Sequence, residues 1–162
     1  MKILSILFMA SITLSISGQD KVKTSSTPVT AATESLRRDL IASKTKIDAV
    51  IAPWQKNKLV SVGDKLQKMR ISPASGNNQI DVVRKEVKAV FFKLTDKQTD
   101  FFTAYILGYM HSSGSQAPDW VKNTLQKQQQ LIQMLSNVTK ILEDEGTSTI
   151  RKIGCSGSEC DD

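Results

Sequence analysis

The chain has one histidine, His111, and that limits the chemistry open to it. A serine nucleophile needs an adjacent base, and catalytic zinc is held by three protein ligands that are usually histidine-rich. Ser112, Ser113 and Ser115 lie near His111 in sequence, but no nucleophile elbow accompanies them. Gly154-Cys155-Ser156-Gly157-Ser158 lacks the final glycine and follows no strand. Composition puts His111 at the start of a polar loop, His111 to Ala117, where a lone histidine is expected to be solvated. No closely spaced acidic ligand cluster, phosphate-binding loop, dinucleotide fingerprint or haem-attachment motif is present. The expectation is a protein that is not an enzyme and that uses no metal or cofactor.

The remaining reactive types read as structure. Cys155 and Cys160 enclose four residues, too many for a thioredoxin-like pair and too few ligands for structural zinc, so a local disulfide is expected. Glu143-Asp144-Glu145 falls at a helix C-terminus, where negative charge opposes the dipole. Arg151 and Lys152 are expected to neutralise it. Asn137-Val138-Thr139 fits the N-glycosylation acceptor pattern, and periodicity sets Asn137 on the outer side of its helix.

Aromatic residues are the strongest functional signal. Phe91-Phe92 and Phe101-Phe102 flank Thr95-Asp96-Lys97-Gln98, and Tyr105 and Tyr109 follow. Neighbouring residues of a helix point about 100° apart, so one phenylalanine of each pair can enter a core while the other widens the apolar face. Phe92, Phe102, Tyr105 and Tyr109 are the expected contact residues, with Arg84, Lys85 and Lys88 as flanking positive charge.

Something must hold these residues in place. The first eighteen residues start basic, continue through an uncharged run from Ile3 to Ile16 and end in Ser17-Gly18, the pattern of a secretory signal peptide. Residues 19–33 read as a flexible lead-in, 34–146 as a helical domain and 147–162 as a tail. Residues 19–93 carry fifteen Lys/Arg against seven Asp/Glu, and residues 94–162 carry six against nine. Such an asymmetry suits an anionic partner, or lets the two halves attract each other. Nucleic acid is not expected, given export and the interleaving of bases with acids.

Apolar residues recur at helical spacing through Leu36–Trp54, Leu59–Met69 and Ile80–Leu94. Thr95 and Gln98 form a capping box for a helix carrying Phe101 to Met110. After Pro118 the spacing predicts one long helix, with Val121, Leu125, Ile132, Leu135, Val138 and Leu142 inward, ending at Gly146. Four or five amphipathic helices with short loops predict an all-α bundle.

Leu94-Thr95-Asp96-Lys97-Gln98 resembles the LTxxQ motif of the Spy-like periplasmic chaperones. The match covers five residues and occurs once, where that family typically has two copies. The resemblance implies a small, exported, basic, all-helical protein that binds unfolded clients on a concave surface. The expectation taken forward is an exported binding protein, secreted or periplasmic, that engages protein or lipid-like partners through apolar and basic helix faces. No integral membrane segment is expected once the leader is removed. The alternatives are a self-associating envelope protein with an aromatic homodimer interface, and the chaperone-like reading.

Overall fold

A computed structural model describes residues 31–71 and 78–157. The leader, most of the lead-in, the 72–77 loop and Cys160 fall outside the described residues, and with them the expected leader cleavage and the Cys155–Cys160 bridge. The described chain is an all-α bundle: α1 Ala31–Asp48, α2 Pro53–Lys68, α3 Gln79–Val90, α4 Asp96–Ser112, α5 Asp119–Thr124, α6 Gln128–Asp144 and α7 Thr147–Lys152. A 3₁₀ turn, Gly114–Gln116, joins α4 to α5.

Local chemistry sets the helix starts. Pro53 opens α2, where a missing amide donor costs nothing. The Asn78 side chain accepts from the Ile80 amide to start α3. At α4 the capping box forms as its sequence implies: Thr95 Oγ1 accepts from the Gln98 amide at 3.2 Å, and Gln98 Oε1 accepts from the Thr95 amide at 3.0 Å.

The core is organised around α4, which packs against α1, α2, α3, α5 and α6. Every residue from Thr99 to Gly108 is buried. A helix apolar on nearly all sides is one wrapped by others. Gly108 allows the closest approach: a Cβ there would stand 2.4 Å from the Leu40 carbonyl oxygen and 2.7 Å from Lys44 Cβ. The α1 backbone therefore crosses α4 at a distance that no side chain fits.

Three expectations need correction. The long final helix is two helices. After α5 the amides of Leu125, Gln126 and Lys127 bond three residues back, to Lys122, Asn123 and Thr124. This tighter winding redirects the chain before α6 begins. The break shifts the phase of the apolar stripe. Leu131, Met134, Val138 and Ile141 face inward, and Ile132, expected inside, is 59% exposed. The stretch read as tail also contains a helix, α7, whose Ile150 is buried, and Ile153 just after it is buried too.

His111 is the third correction. It lies in the last turn of α4 and is 2% exposed, with Nε2 3.2 Å from Thr124 Oγ1. Thr124 Oγ1 donates in turn to the Val121 carbonyl at 2.6 Å. Burial, helped by the nearby Arg37 charge, lowers the His111 pKa to about 4. The imidazole is neutral at pH 7 and joins α4 to α5.

Candidate functional site

The expected aromatic site does not assemble on one surface. Phe102 is fully buried, its ring stacked on Phe91 at 4.3 Å and meeting Phe101 edge-on at 5.5 Å. Trp54 closes the group, 5.9 Å from Phe91. The side pointing away from one neighbour of α4 faces another, so the spare phenylalanine finds a second interior. Phe102 is a core residue, and its expected surface role is withdrawn.

Tyr105 is also buried, with its hydroxyl donating to Asp48 Oδ1 at 3.2 Å. Burial, then the Asp48 charge, pushes the phenol pKa well up, so it stays protonated. Burial alone would raise Asp48, but Lys56 at 2.9 Å and Lys44 at 3.3 Å hold its carboxyl below the ordinary value. This cluster ties α1, α2 and α4 together. Tyr109 is half-buried, and its hydroxyl donates to Asp64 Oδ1 at 2.8 Å. That bond, then burial, raises its pKa.

The flanking cations divide as well. Arg84 bonds Asp100 Oδ1 through Nε at 2.9 Å and through Nη2 at 2.8 Å, and reaches Asp81 at 3.1 Å. Asn137 Nδ2 donates to the other Asp100 oxygen at 2.8 Å. The buried carboxylate is satisfied from α3 and α6, and Arg84 serves the fold. Asn137 is 9% exposed, so the outward position expected for it is corrected. Lys88 forms an exposed ion pair with Asp96, worth little in water, and Lys85 is exposed.

Phe92 remains as the exposed aromatic. It is 53% exposed in the short link between α3 and α4, beside Lys93, whose ammonium lies 4.9 Å from its ring. Just before it, Val90 meets Asn57, Lys58, Ser61 and Val62 of α2 in a small depression. Lys58 Nζ sits over the Trp54 and Phe91 rings, at 5.0 and 5.9 Å. The outer side of α2 presents Lys56, Asn57, Val60, Ser61, Asp64, Lys65 and Lys68 as one open face. Lys65 reaches Glu86 of α3 at 2.7 Å.

The sequence reading passed over this face. Its signal was the spacing of Asn57, Ser61, Asp64 and Lys68, the polar counterpart of the buried Leu59–Leu66 stripe. Such a stripe marks a solvated face as readily as a contact face.

Among the described residues no group of three or more His, Cys, Asp or Glu side chains could hold a metal ion. None of the described helices is long and apolar enough to cross a membrane. The chain matches no protein-family model, no curated protein and no solved structure. The Leu94–Gln98 resemblance stays at five residues, and the capping geometry accounts for threonine and glutamine at that spacing.

Proposed function

We propose that this protein is an exported, non-catalytic binding protein that engages its partner through the lysine-bearing outer face of α2 and the exposed Phe92. The observation that carries this reading is the exposure of Phe92, half exposed beside Lys93, two residues after Val90, which meets α2. Lys56, Lys65 and Lys68 lie along this open face, Lys56 shared with Asp48 and Lys65 with Glu86, and its openness suits a surface more than an enclosed small molecule. A partner that fits is anionic and offers apolar depth to a single ring. A lipid head-group layer has both properties. Near such a layer each lysine is worth about 1 kcal/mol, and sinking the exposed half of a phenylalanine adds about 1 kcal/mol. The total gives weak, salt-sensitive, reversible attachment.

The test is flotation of the mature protein with phosphatidylcholine vesicles, with and without phosphatidylglycerol. We expect association only with the anionic vesicles, and release at about 0.5 M salt, where screening reaches inside a few ångströms. Lys65→Glu/Lys68→Glu should abolish it. Equal binding to neutral vesicles, or none to either, refutes the lipid-like partner. A stable homodimer in light scattering that Phe92→Ser dissociates would favour the self-associating alternative instead.

A further inference from the structure

We propose that the C-terminal segment Thr147–Gly154 positions the contact site. It sets which phenylalanine of the Phe91–Phe92 pair is buried and which is presented, with Gln55 and Gly154 as the positioning residues. The contact role of Phe92 rests on the function proposed above; the in-and-out assignment does not.

Gln55 anchors the segment. It is fully buried, and all of its amide hydrogens and its oxygen are used. Nε2 donates to the carbonyls of Ile150 and Ile153, both at 2.9 Å, while Oε1 accepts from the Ala52 amide at 2.7 Å. One side chain thus starts α2 and holds α7, about a hundred residues later. Arg151 adds a longer contact, Nε to the Val50 carbonyl at 3.4 Å.

Gly154 then meets the aromatic pair. It adopts φ +72°, and a Cβ there would lie 2.9 Å from Phe91 Cβ and Cδ1 and 3.0 Å from Leu94 Cδ2. Backbone this close against the Phe91 side chain leaves the ring only the inward direction, onto Phe102. The last helical bond of α3 is Phe91 N–H to the Val87 carbonyl, and the next amide, Phe92 N–H, donates to the Gly154 carbonyl at 3.0 Å. Lys93 follows at φ +47°, a conformation that a lysine keeps only when its surroundings impose it. The chain then enters the Thr95 cap, and Phe92 is left outside.

Amide exchange on the full chain tests this without any substitution. The Phe92 amide should open together with those of Ile150 and Ile153; exchange more than about tenfold faster than theirs overturns the proposal. Gly154→Ala places a methyl against Phe91, and should cost the Phe92 amide at least about tenfold in protection. Binding to phosphatidylglycerol vesicles should fall with it. Gly157→Ala is the control, because φ is +65° there and nothing lies within 4 Å of the added methyl. It should change neither readout.

Retained Phe92 protection in a folded Gly154→Ala protein refutes the proposal, as does faster exchange with unchanged vesicle binding. If Gly154→Ala does not fold, Gln55→Glu takes its place with the same readouts, since it keeps the acceptor for Ala52 and loses both donations to α7. A native protein that binds no vesicles refutes the contact reading, and exchange alone then decides whether the segment sets the pair.

Discussion

Helices α4 and α2 are 17 and 16 residues long, and one fills the core while the other lines the surface. Both contain aromatic residues, so aromatic content does not separate them. Charge does. Between Phe101 and Met110 α4 has no ionisable residue except its tyrosines, whereas α2 has Lys56, Lys58, Asp64, Lys65 and Lys68. An uncharged helix can be surrounded on every side. One with five charges must leave a side in water, and that side is where a partner can reach. Inside α4, Asp100 and His111 are each tied to a named neighbour, whereas the buried Thr103 Oγ1 has no hydrogen-bond partner among the described residues.

The sharpest way to break this contrast is to treat two phenylalanines alike. Phe102→Ser removes a fully buried ring and leaves a hydroxyl in the cavity, and should destabilise the fold by about 3–5 kcal/mol in chemical denaturation. A loss below about 1 kcal/mol would return Phe102 to the surface role first expected of it.

Acid should have the next largest effect, through His111. Its folded-state pKa of about 4 lies below the unfolded value, so the unfolded chain binds a proton more readily. This contribution to stability is complete above about pH 6.5 and falls away as the pH drops through 4. The loss should be roughly 2–3 kcal/mol. His111→Gln keeps a hydrogen-bonding group near Thr124 and cannot titrate. Comparing its denaturation midpoints at pH 7 and pH 4.5 with the native ones isolates this term from the carboxylates. An unchanged pH slope would mean that His111 is solvated after all.

The smallest expected effect on stability is that of Phe92→Ser, within about 0.5 kcal/mol. Its effect should appear in binding to anionic vesicles, which should weaken severalfold at constant melting temperature. A substantial drop in melting temperature would make Phe92 part of the fold, and the α2 face would lose its aromatic anchor.

Much of the fold was legible because local rules and global packing agree. The Thr95–Gln98 cap and the α3 stripe of Ile80, Val83 and Val87 stand as the sequence suggests. The final helix was misread because Val121 and Leu125 can be joined to Ile132 at nearly helical spacing. Only the tight turn at Leu125–Lys127 reveals that the phase resets. The site was less legible. Periodicity says which residues share a face, but not how many faces of a helix its neighbours will cover. Phe102, Tyr105 and Asn137 went inside because α4 is enclosed and α6 lies against it. Gln55 gave no signal at all. A glutamine in a first helical turn is unremarkable until a strand of chain about a hundred residues away offers it two carbonyls.

The bond between Asn137 and Asp100 bears on biosynthesis. Oligosaccharide transfer in a eukaryotic secretory pathway would meet Asn137-Val138-Thr139 as an acceptor while the chain is still open. Once α6 has closed on α4, the same nitrogen sits in the interior, where a sugar has no room. Modification and closure therefore compete for a single atom: a chain carrying a sugar on Asn137 could not make the bond to Asp100.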